Sequence, residues 1–242
     1  MNGPDGEQNL QGERADPTTP VMPGGALASR PLHFIWLVDC SGSMAYEGKI
    51  QALNNAIREA IPQMQDAADA QPQAQVLVRA ISFAEGAQWV IPDPTPVEDL
   101  TWTDLEAVGT TDLGRALEMV AAELHVPPMS GRALPPVLVL ISDGQPTDDF
   151  QAGLERLLGE PWGAKAVRVA IAIGRDADEE MLRRFISNPD IRPVQASNPE
   201  QLVRYIRWAS TLITPISQPN REDQAPTIKP PDPVPVIGDV TW

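Results

Sequence analysis

The 242-residue chain carries 33 acidic against 18 basic residues, a formal net charge of −15, and 42% of its residues are hydrophobic. That length and apolar share suit one substantial α/β domain or two small ones, while the charge excludes nucleic acid and anionic membranes as general partners, since both reward clustered Lys and Arg. Cys40 is the single cysteine, which excludes internal disulfides, thiolate zinc sites and redox pairs and leads us to expect a reducing, cytoplasmic setting.

Residues 1–30 are rich in Gly, Pro, Asp, Glu and Gln, a composition that buries too little surface to offset chain entropy, so a disordered leader is expected. It has neither the basic start nor the apolar stretch of a signal peptide, and no run approaches the roughly 18 apolar residues of a membrane span. Residues 33–38 are continuously apolar up to Asp39, as in a strand buried on both faces. Ile50, Leu53, Ala56, Ile57, Ala60, Ile61 and Met64 recur at helical spacing. A second strand is expected over 75–84, followed by a hairpin at Glu85-Gly86 into a short edge strand over 87–91.

Residues 111–124 place Leu113, Ala116, Leu117, Val120 and Leu124 on one helical face. A buried strand follows over 137–141, then a helix over 148–158, a strand over 166–173, a helix over 178–186, a short strand over 191–196 and a closing helix over 198–213. From 214 the chain holds seven prolines, predicting an extended tail. Its last residues, with Ile237, Val240 and Trp242, return to apolar character, as a peptide that docks on a partner or in cis by adding to a sheet edge would. The alternation over 31–213 predicts an α/β fold: an open, doubly wound, mostly parallel six-stranded sheet with helices on both faces and one antiparallel edge strand. In such sheets ligands bind beyond the carboxyl ends of the strands.

Three expected strand or helix ends carry oxygen donors. Asp39-Cys40-Ser41-Gly42-Ser43-Met44 closes the first strand, Ser142-Asp143-Gly144-Gln145-Pro146-Thr147 closes the fourth, and Gly109-Thr110-Thr111-Asp112 opens the central helix. Two carboxylates with several neutral hydroxyls suit a hard divalent cation, Mg²⁺ first, with Mn²⁺ or Ca²⁺ as alternatives, and argue against zinc or copper. Taken singly, Ser and Thr at helix starts are N-caps and Asp-Gly is a turn; it is their order along the chain, each after a strand, that points to one site.

Asp39-x-Ser41-x-Ser43, a Thr before the central helix and Asp143-Gly144 resemble the metal-ion-dependent adhesion site (MIDAS) of von Willebrand factor A domains, over 31–213. The resemblance implies metal-site roles for Asp39, Ser41, Ser43, Thr111 and Asp143, with a partner protein's Asp or Glu as the last ligand and no catalysis. Thr111-Asp-Leu-Gly-Arg-Ala-Leu117 matches the family's helix start, but Thr110 stands where the family commonly has a second glycine, so Thr110 remains the alternative. Asp39-Cys-Ser-Gly-Ser-Met44, Ile81-Ser-Phe83, Val90-Ile-Pro92, Asp143-Gly-Gln-Pro-Thr-Asp148 and the 199–208 segment resemble the tellurite-resistance-associated TerY-like branch. That resemblance implies a bacterial cytoplasmic scaffold in stress or conflict-response signalling, with kinase and PP2C-type phosphatase partners; the alternative is a regulatory subunit of an AAA+ or chelatase-like ATPase.

Other chemistries lack their residues. A haloacid-dehalogenase-type phosphotransferase needs a carboxylate where Ser41 stands, and a serine hydrolase needs a Gly-x-Ser-x-Gly elbow and a late histidine. Nucleotide binding needs a glycine-rich phosphate loop, and metal storage needs soft ligands. Cys40 is expected as buried filler, Trp36, Trp89, Trp102, Trp162 and Trp208 as packing, and Asp148-Asp149 and the acidic run at Asp176, Asp178, Glu179 and Glu180 as helix starts.

Overall fold

A computed structural model of the chain describes residues 29–175, 177–217 and 228–232. Residues 1–28 of the expected leader, Asp176 and the apolar end over 236–242 lie outside the described residues. Among these, six strands form one sheet in the order β3-β2-β1-β4-β5-β6. They are β1 (Arg30–Asp39), β2 (Ala74–Ala84), β3 (Gly86–Pro96), β4 (Val137–Ser142), β5 (Val167–Ile173) and β6 (Val194–Ala196). β1 runs parallel to both β2 and β4, β5 continues parallel from β4 and β6 from β5, while β3 is antiparallel to β2.

The helices are α1 (Lys49–Asp69), α2 (Leu113–Glu123), α3 (Phe150–Gly159), α4 (Pro161–Lys165), α5 (Glu179–Ile186), α6 (Pro199–Ser210) and α7 (Ile213–Ser217). The β1-to-β2 and β4-to-β5 crossovers travel in opposite directions along the sheet, so right-handed connections put α1 and α3 on opposite faces. α1 packs with α6 and α7, and α3 with α2 and α4. β4 is buried at every position and β1 from Phe34 onward, as strands covered on both faces must be.

Three expectations on element bounds are corrected. β3 is 11 residues long and not a short strand ending at Ile91. It runs on through Pro92, Pro94 and Pro96 because an edge strand needs no N–H on its outer side, and its register against β2 breaks between Val78 and Ile81. Helix continues past Thr214: α6 stops at Ser210 and α7 carries Pro215 in its first turn, where no N–H bond is lost, with Ile213 and Ile216 buried. Arg30 belongs to β1, its guanidinium donating to the carbonyls of Arg132 and Ala133.

The long passage from β3 to α2 is stitched down by a buried amide. Asn54 of α1 donates to the Leu105 carbonyl at 2.9 Å, while its Oδ1 accepts from the Leu105 N–H at 2.9 Å and from the Trp102 indole at 3.1 Å. This holds residues 102–109 beside the carboxyl edge of β1.

Candidate metal centre

β1 and β4 are neighbours, and the chain leaves β1 toward β2 on one side and reaches β5 from β4 on the other. The crevice beyond their carboxyl ends is the topological switch point of the sheet, where an open α/β fold has room for a ligand. Asp39 ends β1 and Ser142 ends β4.

Asp39 is fully buried and both its oxygens are used: Oδ1 accepts from the Ser41 N–H at 2.8 Å and Oδ2 from the Ser142 hydroxyl at 2.6 Å. These bonds fold the loop after β1 back toward the strand end. Burial pushes the Asp39 carboxyl above the usual range, against the pull of the Ser142 and Ser41 hydrogen bonds, and the charge of Asp143 adds to the rise. Among the described residues no basic side chain pairs with Asp39, so a buried carboxylate stands with hydrogen-bond donors and no counter-cation.

The hydroxyls extend outward from it. Ser41 Oγ lies 2.9 Å from Ser43 Oγ, and Ser43 Oγ donates to Asp143 Oδ1 at 2.7 Å. Gly144 packs against both Ser43 and Thr111: a Cβ placed on it would lie 3.8 Å from Ser43 Oγ and 3.7 Å from Thr111 Oγ1. Ser41, Asp143 and Thr111 are buried and Ser43 is exposed, so the cluster opens to solvent at Ser43.

Thr110 points elsewhere, its exposed hydroxyl donating to the Ala84 carbonyl at 3.2 Å and to Asp112 Oδ1 at 3.3 Å. The structure therefore brings together Asp39, Ser41, Ser43, Thr111 and Asp143 and leaves Thr110 outside. Cys40 faces the interior at 5% exposure, with burial pushing its thiol up to about 12.

Sequence reasoning missed four supporting residues. Lys49, in the first turn of α1, donates to Asp143 Oδ2 at 2.7 Å with its side chain only 12% exposed. A cation there opposes the helix dipole, and that anomaly is the signal that could have marked a buried counter-charge. Ser142 left a weaker signal, as a hydroxyl at the end of a buried strand. Thr147 accepts from the Thr111 N–H at 2.9 Å and donates to Asp112 Oδ1 at 2.9 Å, while its own N–H donates to the Thr111 carbonyl at 2.9 Å. Asp148 does not start its own helix: its two oxygens accept from the Gly114 and Arg115 N–H groups of α2 at 2.8 and 2.7 Å, while Asp149 caps α3. No sequence rule pairs a loop carboxylate with the start of a different helix.

All donors here are oxygens, and no three His, Cys, Asp or Glu side chains converge among the described residues. Two carboxylates and three hydroxyls, one carboxylate lacking a counter-cation, fit a hard divalent ion that keeps part of its water.

The sequence matches the family model for the von Willebrand factor type A domain over residues 35–207. The chain belongs to the von Willebrand factor type A family. Similar solved structures include a von Willebrand factor type A protein from Catenulispora acidiphila, 19% identical with a TM-score of 0.60 over 77% of this chain and 43% of that one. The ArnB paralog VWA2 from Sulfolobus acidocaldarius is 19% identical, TM-score 0.56, covering 76% and 46%. Proximal thread matrix protein 1 from the mussel byssus, with a zinc-occupied MIDAS motif, is 20% identical, TM-score 0.53, covering 78% and 46%. This von Willebrand factor type A chain thus spans less than half the length of each. No curated protein matches it significantly.

Proposed function

We propose that this von Willebrand factor type A chain is a divalent-cation-dependent protein-binding module that works without catalysis. The observation that carries this reading is the cluster of Ser41, Ser43, Thr111 and Asp143 oxygens above the buried Asp39, which opens to solvent at Ser43. Ser41, Ser43 and Thr111 would hold the cation, Asp143 sits within reach of it, and Asp39 orients the loop. When bound, the cation supplies a Lewis-acidic position that an Asp or Glu of a partner completes. With few carboxylates around it, the ion keeps an appetite for that extra anion.

The rim supports a protein partner. Tyr46 on the 3-10 segment Gly42–Gly48 and Val108, whose N–H donates to the Cys40 carbonyl at 2.8 Å, are each 71% exposed, and apolar side chains presented beside a polar anchor are what an interface core uses. No helix among the described residues is long and apolar enough to cross a membrane. The TerY-like motifs support a cytoplasmic scaffold with kinase and PP2C-type phosphatase partners as the finer reading. Mg²⁺ is the proposed ion on donor hardness; zinc joins the test because the mussel protein takes it at its MIDAS motif.

Calorimetric titration of Mg²⁺, Mn²⁺, Ca²⁺ and Zn²⁺ into chelator-treated protein should show one saturable site that Ser41→Ala/Ser43→Ala and Asp39→Ala abolish. With Mn²⁺ bound, a Glu-containing peptide should displace a metal-bound water and lower the water-proton relaxation enhancement. Saturable binding that survives the Ser41→Ala/Ser43→Ala change would place the cation elsewhere and overturn the assignment.

A further inference from the structure

Residues 228–232 read Ile-Lys-Pro-Pro-Asp. Pro230 and Pro231 lock φ near −65°, and Lys229, preceding a proline, is steered to extended backbone, so the segment holds a polyproline-type conformation before it meets anything. It lies against the folded domain. The Trp208 indole N–H donates to the Lys229 carbonyl at 3.0 Å, Ile228 is 8% exposed within the main apolar core, and Pro230 and Pro231 are half-buried. Lys229 and Asp232 are exposed.

A polyproline-type segment has no internal hydrogen bonds, so its carbonyls look outward for donors. An aromatic side chain that offers both a flat apolar surface and an N–H meets that need, which is how aromatic-lined grooves recognise such segments. Trp208 supplies the N–H donor here, and Ile228 adds an apolar anchor two residues before the first proline of the pair.

Trp208 lies in the last turn of α6, which starts directly after β6 at the carboxyl edge of the sheet and runs about 18 Å away from it at 1.5 Å per residue. The docked segment is therefore at the far end of α6 from the metal centre.

We propose that the Trp208 face of α6 is a recognition site for an Ile-x-Pro-Pro segment, filled in cis by residues 228–232 as a latch. The reading is independent of the cation site. Residues 218–227 join the latch to α7, and a linker of ten residues sets an effective concentration on the order of 1 mM. The latch is closed only if the intrinsic Kd of the segment lies below that value.

The test uses the full chain and a fluorescein-labelled peptide of residues 225–235. Wild type should bind the peptide weakly because its own segment occupies the site. Ile228→Asp, which empties the site and leaves the receptor face intact, should bind about tenfold tighter, with Kd below about 1 mM. Adding Trp208→Phe to that variant, which keeps the ring and removes the donor, should reverse the gain. Pro230→Gly/Pro231→Gly replaces Ile228→Asp if the latter does not fold. Equal peptide binding by wild type and the emptied variants, no binding at 1 mM, or indifference to Trp208→Phe each overturn the proposal. A wild-type dimer in sedimentation that the peptide dissociates assigns the segment to exchange between copies and overturns the cis latch.

Discussion

At the scale of single residues, Lys49 decides how the site behaves without its ion. Among the described residues its ammonium is the one cationic group held on Asp143, at 2.7 Å with the carboxylate fully buried. Two carboxylates and one ammonium leave the cluster at a net charge of −1, and removing the ammonium makes it −2. Lys49→Met should therefore cost about 3 kcal/mol in the metal-free protein, the penalty for stripping one partner from a buried pair, and should tighten Mg²⁺ binding. Thermal melts in EDTA and in Mg²⁺ would show the variant far below wild type in the first and close to it in the second. An equal drop in both conditions would mean that Lys49 is a packing residue.

Between elements, the site depends on how the loop after β4 clamps the start of α2. Asp148 satisfies two N–H groups of a helix that has no side-chain cap of its own, and Gly114 and Gly153 let α2 and α3 approach so closely that a Cβ on Gly153 would lie 2.4 Å from the Gly114 carbonyl. Thr111 sits just before this contact, fixed through Thr147. Asp148→Ala should cost about 1–2 kcal/mol by urea unfolding and should also weaken Mg²⁺ affinity, since the Thr111 hydroxyl loses its rigid support. Unchanged affinity in a destabilised Asp148→Ala protein would separate the cap from the site.

Across the whole molecule, the cation edge and the Trp208 latch occupy opposite ends of α6, with the sheet's apolar core between them. Binding to the folded chain alone stabilises it by mass action, about 2.7 kcal/mol at a hundred times Kd. Differential scanning calorimetry should show a Mg²⁺-dependent rise in Tm that Ser41→Ala/Ser43→Ala removes and Ile228→Asp leaves intact. A loss of the Mg²⁺ response in Ile228→Asp would mean that the two ends communicate.

The α/β class, the order of strands and helices and the five oxygen-bearing positions were legible in the sequence by itself, because buried strands, helical stripes and strand-end Asp, Ser and Thr are local patterns that pleat and helix geometry impose. Local rules also misled at Pro92, Pro94 and Pro215, whose tolerance depends on an edge position or a first helical turn. Only the tertiary structure shows that the Thr110 hydroxyl turns to Ala84 and Asp112 while Thr111 lies beside Gly144, because adjacent residues before a helix share composition and differ only in which way they face. It alone showed Lys49 on Asp143 and Asp148 on α2, pairs 94 and 34 residues apart, and the latch of residues 228–232 on Trp208. Contacts between distant segments arise when the sheet closes, and no period or spacing along the chain encodes them.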